Sequence, residues 1–141
     1  MKLLYLMLLT AIGAAFSPAA APPLAQTIKA QHWQKRVLLL VAPRPENAQL
    51  RQQRALLAAV PDGLRDRDFL VLEACYQQLP PADQRFLTQK LGLTADQFAV
   101  VLIGKDGGVK RLETNPLPPA SLFETVDRMP MRREEMRERG R

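Results

Sequence analysis

The sequence predicts an α/β protein built around a central mixed sheet, and three segments carry this prediction. Two apolar runs, residues 37–41 and 100–103, have the length of strands and no polar position, so both faces of each strand need cover. A turn-forming Asp-Gly-Gly triplet separates the second run from residues 109–112, where apolar and basic side chains are mixed, and this predicts a β-hairpin. We therefore expect the two apolar runs to be neighbouring central strands, with residues 109–112 nearer the sheet edge.

The N-terminal segment has the pattern of a secretory signal peptide over residues 1–25. Lys2 gives a positive start, residues 3–16 are apolar, and a Pro/Ala-rich stretch follows. Cleavage is expected near Ala25, and a cut after Ala19 or Ala20 is the alternative. The apolar run is shorter than the roughly 20 residues that a membrane-spanning helix needs. We therefore expect a periplasmic or secreted protein with no stable membrane insertion after cleavage.

Strands and helices alternate along the rest of the chain. A polar lead-in over residues 26–35 is expected to place Trp33 over one end of the core. The first helix can be capped by Asn47, and the turn at residues 61–63 should stop it. In chain order, the predicted elements are a strand at 37–41, a helix at 47–60, a strand at 69–73, a helix at 81–91, the hairpin at 100–112 and a helix at 119–129.

This order is the thioredoxin-like arrangement strand-helix-strand-helix-strand-strand-helix, in which a parallel strand pair is followed by an antiparallel pair and a final helix. We assign the domain to residues 26–130 and a basic C-terminal tail to residues 131–141. The tail is almost entirely Arg and Glu, so little apolar surface is available to offset the entropy of ordering it. We expect at most a short helix over residues 132–137, docked through Met131, with its arginines exposed to an acidic partner.

Two short motifs, the hairpin Gly-Lys-Asp-Gly-Gly at 104–108 and the Met-Pro-Met-Arg segment at 129–132, are specific in combination. The positions to compare with known families are Trp33, residues 36–39, Arg67, Asp68, Phe98, residues 102–110, residues 127–133, Glu135 and Met136. Together they resemble the P-DUDES family, which comprises exported bacterial proteins and domains of animal extracellular sushi-repeat proteins. The resemblance implies a thioredoxin-like fold related to peroxiredoxins, an exported setting and no established activity, with an antioxidant role as a suggestion.

Thiol chemistry is limited by the cysteine inventory. A redox-active thioredoxin needs two cysteines at the start of its first helix, where backbone donors lower the thiol pKa. Residues 42–47 hold none, and Cys75 is the only cysteine of the chain, so neither a dithiol nor an internal disulfide can form. Because parallel strands end at the same edge of a sheet, Cys75 could lie within reach of Arg44. We expect a packed, inert thiol, and low-pKa chemistry of Cys75 with Arg44 is the alternative.

The remaining polar motifs have structural interpretations. Lys105 precedes Asp106, Gly107 and Gly108 in a hairpin turn and not in a phosphate-binding loop, because a strand follows and not a helix; Lys105 as an anion contact is the alternative. His32 is the only histidine, so the sequence predicts no His-based triad, no metal cluster and no cofactor. The Met-Pro-Met segment has too few thioethers for a soft-metal site.

The sequence therefore predicts an exported thioredoxin-like domain that acts as a non-catalytic binding or envelope-associated module. Lys105, Arg132 and Arg133 are the candidate binding residues for an unknown envelope or extracellular partner. The formal net charge of +6 favours an acidic surface, while export argues against nucleic acid. The alternative is a thiol-dependent, peroxiredoxin-related antioxidant activity through Cys75.

Overall fold

The structure, a computed structural model, describes residues 21–140, so most of the predicted signal peptide lies outside the described residues. Within residues 21–140, no helix is both long and apolar enough to cross a membrane.

The helices are α1 (Leu24–Lys29), α2 (Ala48–Ala58), α3 (Pro61–Asp66), α4 (Pro81–Arg85), α5 (Pro119–Asp127) and α6 (Pro130–Arg139), and the strands are β1 (Arg36–Ala42), β2 (Phe69–Cys75), β3 (Ala99–Ile103) and β4 (Val109–Glu113). A 3-10 turn at Tyr76–Gln78 follows β2, and a π-helical turn at Phe86–Lys90 continues α4.

The four strands form one mixed sheet in the order β2-β1-β3-β4. Strand β1 runs parallel to β2 and antiparallel to β3, and β4 pairs antiparallel with β3. Leu39 lies at the centre, opposite Leu72 on one side and Val101 on the other. The predicted thioredoxin-like arrangement is confirmed, including the central position of the two apolar runs and the placement of β2 on the far side of β1.

Helices cover both faces of the sheet, as the fully apolar central strands require. Successive side chains of a strand point to opposite faces, so β1 contributes Leu38 and Leu40 to one core layer and Val37, Leu39 and Val41 to the other. The first layer also contains Leu50 and Leu57 of α2 with Leu122 and Val126 of α5, and the second contains Leu24 of α1 and Leu87 of the π-helical turn.

The helix after β1 begins as predicted but ends earlier. The Asn47 side chain accepts a hydrogen bond from the Leu50 N–H at 3.0 Å and so caps α2. The expected turn at residues 61–63 is wrong, because Pro61 opens the short helix α3, and proline is well tolerated in the first turn of a helix. Helix α3 ends just before β2 and carries Asp66 to the sheet end where β1 and β2 begin.

Helix α1 belongs to the fold from its first residue. Leu24 is buried, and its backbone N–H donates to Oδ1 of Asp83 in α4 at 3.0 Å. A cleavage near Ala25 would divide this helix, whereas a cut after Ala19 or Ala20 would leave it whole.

The lead-in places Trp33 differently from the prediction. The side chain of Trp33 is 63% exposed and stacks on His32 with 5.2 Å between ring centroids, so its expected role as a cover for the core is wrong. Its backbone has a φ of +64° and donates to the carbonyl oxygen of Lys105 at 2.7 Å. Trp33 thus adopts a left-handed conformation just before β1, with its indole ring exposed to solvent.

The C-terminal tail is more ordered than its composition suggests. Helix α6 spans ten residues, from Pro130 to Arg139, and Met131 is 39% exposed, so docking through Met131 is wrong. Arg132, which we expected to face solvent, is only 3% exposed. Ion pairs, and not apolar contacts, hold α6 against the end of the sheet and offset the entropy of ordering it.

Candidate functional site

The carboxyl ends of β1 and β2 mark the edge where a thioredoxin dithiol would lie. A cleft of about 380 Å³ opens there. The buried hydroxyl of Tyr76, one of its lining residues, has no hydrogen-bond partner among the described residues. The lining consists of Pro43, Arg44, Tyr76, Gln77, Gln84, Ala95 and Asp96.

Cys75 is close to this cleft in the chain but does not line it. It is the last residue of β2, lies opposite Ala42 of β1 and is buried in the core layer that α2 and α5 cover. Burial raises the pKa of the Cys75 thiol, the negative charge of Glu73 raises it further, and Arg54 acts in the opposite direction. The cation that acts on the thiol is thus Arg54, while the predicted neighbour Arg44 is exposed on the cleft.

The opposite end of the sheet carries a group of nine charged residues, which we call the ion-pair network. Its members come from the starts of β1 and β2, the end of α3, the β3–β4 turn and the last two helices. It comprises five cations and four carboxylates: Arg36, Arg67, Lys105, Arg132 and Arg139 with Asp66, Asp68, Asp127 and Glu135.

Glu135 of α6 is the shared carboxylate of this network. Both Nη atoms of Arg36 donate to it, at 3.1 and 3.2 Å, and Nζ of Lys105 donates at 2.6 Å. Nη1 of Arg132 lies 3.7 Å away. The two cations on the sheet side are almost inaccessible, with side-chain exposures of 1% for Arg36 and 8% for Lys105. One carboxylate thus fixes α6 to β1 and to the β3–β4 turn.

Arg132 holds the other side of α6. Its guanidinium donates to Oδ2 of Asp66 at 2.6 Å and to Oδ1 of Asp127 at 3.1 Å. Asp127 also accepts two hydrogen bonds from Arg67, at 2.9 and 3.0 Å, and Arg67 lies 4.0 Å above the ring centroid of Phe123. Helices α3, α5 and α6 are therefore joined through two arginines.

The carboxylates of the network stay charged because their cationic partners outweigh burial. For Glu135, burial raises the pKa, but hydrogen bonds from Arg36 and Lys105 bring it below its usual range. For Asp127, the hydrogen bond from Arg67 is the largest cause of a lowered pKa. Hydrogen bonding to Arg132 is likewise the main reason that the pKa of Asp66 is lowered.

Asp106, Gly107 and Gly108 form the turn between β3 and β4. The Gly108 N–H donates to Oδ1 of Asp106 at 3.0 Å, and Gly107 has a φ of +82°, which favours glycine. The ring of His32 packs over this turn, with Nε2 2.5 Å from the Asp106 carbonyl oxygen.

A second cleft, of about 200 Å³, lies between this turn and the start of α6. Arg36 is one of the residues that line this cleft. Its Nε atom is buried and has no hydrogen-bond partner among the described residues. We call this cleft between the β3–β4 turn and α6 the turn cleft. Its lining residues are Arg36, Gly104, Lys105, Asp106, Lys110, Met129, Pro130 and Met131.

The predicted site residues thus do not form a single site. Lys105 and Arg132 meet in the ion-pair network, and the expected exposure of Arg132 is wrong because Asp66 and Asp127 hold it inside. Arg133 is exposed, and its binding role stays a prediction. Across residues 21–140, no group of three or more His, Cys, Asp or Glu side chains is placed to hold a metal ion.

Sequence reasoning missed that the motif residues belong together. Arg36 and Glu135 are 99 positions apart, and no local pattern links them. The available signal was the family resemblance, since the motif residues Arg36, Asp68, Lys105, Arg132 and Glu135 all enter the ion-pair network. That signal gave residue types and positions but no contacts.

Comparisons with known proteins agree with this fold. A family model described as Domain of unknown function (DUF4174) matches residues 27–135, and no curated protein matches the chain. Among solved structures, the chain is similar to the reduced 2-Cys peroxiredoxin of Plasmodium vivax, with 15% identity, a TM-score of 0.55, and coverage of 75% of this chain and 83% of that one.

Two further solved structures, both from Plasmodium yoelii, are similar to the chain. The peroxiredoxin Prx1a gives 17% identity and a TM-score of 0.56, with 76% of this chain and 80% of that chain covered. Thioredoxin peroxidase I gives 17% identity and a TM-score of 0.52, with 77% of this chain and 79% of that chain covered. At such identities these likenesses establish the fold alone.

Proposed function

We propose that this chain, which belongs to the family described as Domain of unknown function (DUF4174), is an exported binding domain that uses a thioredoxin-like fold without thiol catalysis. One observation carries the proposal: the only thiol is buried in the core, with a raised pKa, and outside the cleft where thioredoxin chemistry would take place.

Two features of Cys75 argue against catalysis. The thiolate is the nucleophile in peroxide reduction and in disulfide exchange, and burial together with Glu73 disfavours it. The cleft near Cys75 offers Arg44 and Asp96 but no second thiol, because the chain has a single cysteine. The thioredoxin-like fold then serves as a scaffold.

The family motifs support the same proposal from the other end of the sheet. Residues that resemble P-DUDES motifs enter the ion-pair network and the turn cleft, where they join the last helix to the sheet. A P-DUDES assignment is part of the proposal, together with the exported setting that it implies. Export is also supported by the apolar residues 3–16.

A thiol assay tests the non-catalytic role. We expect purified protein to consume no hydrogen peroxide above a protein-free control, in either the native or the Cys75→Ser form. We also expect Cys75 to react with a maleimide probe only at the rate of unfolding, because it is buried. Peroxide consumption that disappears in Cys75→Ser would overturn the proposal and support the antioxidant alternative.

A second experiment tests export and binding. Cell fractionation followed by N-terminal sequencing should find a shortened protein outside the cytoplasm. Crosslinking in intact cells, with the native chain and with Arg133→Gln, then asks whether an envelope partner is held through the exposed arginine of α6. Full-length protein in the cytoplasmic fraction would contradict the exported setting.

A further inference from the structure

The turn cleft combines a small volume with an uneven distribution of charge. Its volume of about 200 Å³ equals that of roughly six or seven water molecules, at about 30 Å³ each. Arg36, Lys105 and Lys110 contribute three cations to the lining, while Asp106 is the single carboxylate. Asp106 is itself engaged by the Gly108 N–H and by Nζ of Lys110, at 2.7 Å.

The cations at the base of the turn cleft are incompletely neutralised. Arg36, Lys105 and Arg132 share Glu135, and Lys105 and Arg139 share Asp68. Across the ion-pair network the count is five cations against four carboxylates, a surplus of one positive charge. Arg139 and Asp66 are about half exposed, but Arg36, Lys105 and Arg132 are buried, and a surplus of positive charge around buried cations favours one additional anion.

Arg36 supplies an unused donor at this place. The residue is 1% exposed, lines the cleft, and has Nε buried without a partner within residues 21–140. A buried donor on a charged group is costly to leave unsatisfied, and an acceptor in the cleft would remove that cost. The first turn of α6 adds the positive end of a ten-residue helix, and Met129 at its N-cap provides no side-chain cap.

The rest of the lining indicates which kind of anion fits. Met129, Pro130 and Met131 form an apolar wall, and a methionine side chain adapts readily to a small apolar group. A fully hydrated inorganic anion would gain nothing from that wall. A metal cation is disfavoured by the three positive charges around the two thioethers.

We propose that the turn cleft binds a small monocarboxylate, whose carboxyl group is held by Arg36 and Lys110 and whose apolar part lies on Met129 and Met131. This deepens the proposed binding role by naming one site and one ligand class. Its failure is separable from failure of the non-catalytic role, because the peroxide assay on Cys75 does not involve this cleft.

Titration with sodium butyrate tests the proposal. The purified protein carries ¹³C-labelled methionine methyl groups, and sodium chloride at equal ionic strength is the reference. We expect the signals of Met129 and Met131 to shift and saturate, while Met136, which lies on α6 outside the cleft, stays unchanged. Inorganic phosphate is titrated in parallel and should produce a weaker effect.

Two variants with the same charge loss locate the site. Lys110→Gln should weaken butyrate binding about tenfold, the usual effect of one charged hydrogen bond. Lys90→Gln should leave the affinity unchanged, because Lys90 is exposed and does not line the cleft. Arg36 is left intact, since it anchors Glu135 and its loss would endanger folding.

A third variant obstructs the cleft without changing its charge. In Gly104→Ala the added Cβ would lie 2.7 Å from Cε of Lys110, a flexible atom that can move, so the fold should survive while Lys110 is displaced. Butyrate affinity should fall as in Lys110→Gln. The proposal is overturned if butyrate produces no saturable shift, if phosphate binds as tightly as butyrate, or if the Lys110 and Lys90 variants bind equally.

Discussion

Replacing Glu135 by Gln should be among the most damaging conservative changes in this protein. Glutamine keeps the shape of the side chain and one acceptor oxygen, so the variant isolates the negative charge. Glu135 is 15% exposed, and its partners Arg36 and Lys105 are 1% and 8% exposed, so both cations would remain buried and underneutralised. Removing one member of a buried ion pair costs about 3–5 kcal/mol.

The chain provides a matched control in Glu73→Gln. Glu73 also accepts two hydrogen bonds from one arginine, with Arg54 donating at 2.6 and 2.8 Å. Here the two side chains are 37% and 40% exposed, and exposed pairs contribute about 0–1 kcal/mol. The two substitutions thus change the same chemical group in an arginine pair with two hydrogen bonds, and they differ in burial and in the second cation, Lys105, that Glu135 also holds.

Denaturant unfolding followed by circular dichroism measures the difference. We expect Glu135→Gln to lose about 3–5 kcal/mol of unfolding free energy and Glu73→Gln at most about 1 kcal/mol. For a chain of this size, the larger loss corresponds to a fall in melting temperature of about 10–20 °C. In a Lys105→Met background the cost of Glu135→Gln should shrink, because the two residues are paired. Equal unfolding midpoints for the two single variants would refute the reasoning.

The other predictions concern the turn, the network and the last helix. Gly107→Val should cost about 1–2 kcal/mol or more, since its φ is +82° and a Cβ would lie 2.7 Å from Nε2 of His32; an unchanged unfolding free energy would contradict this. Lys105→Met should cost as much or more, because Lys105 is buried and its loss deprives Asp68 and Glu135 of a cation that they share; a native melting temperature would count against it. The unfolding free energy should fall as the pH drops through about 4. The network carboxylates have lower pKa values in the folded than in the unfolded state, so the stability that their ionised forms provide is lost when they are protonated. An unfolding free energy that stays constant between about pH 3 and 6 would exclude this linkage. Truncation after Met129 should leave an unfolded chain by NMR, and a dispersed spectrum would show that α6 is dispensable.

The sheet could be predicted because its signals are local. Residues 37–41 and 100–103 are apolar at every position, and that alone requires central strands with cover on both faces. Asn47 at the start of α2 and Gly107 in the β-turn are single residues whose chemistry determines the backbone beside them. These features need no information about distant parts of the chain.

The candidate site could not be predicted in this way, because its contacts are long-range. Lys105 looks like an exposed turn residue until Asp68 and Glu135 are brought to it, from 37 and 30 positions away. Arg132 looks like part of a solvated tail until Asp66 arrives from 66 positions away. A composition rich in Arg and Glu is compatible with both disorder and an ion-paired helix, and the difference lies in where the partners are.

The long sequence separation between Arg36 and Glu135 also constrains how the protein can fold during synthesis. Arg36 in the first strand pairs with a carboxylate 99 residues later, so the chain must be present as far as α6 before the sheet end is neutralised. A partly synthesised chain that closed its sheet early would bury Arg36 and Lys105 without that carboxylate, which is energetically unfavourable. Such a chain remains open until α6 arrives. The sheet end is therefore closed only after α6 has been synthesised, and chains terminated before Glu135 stay accessible to proteolysis.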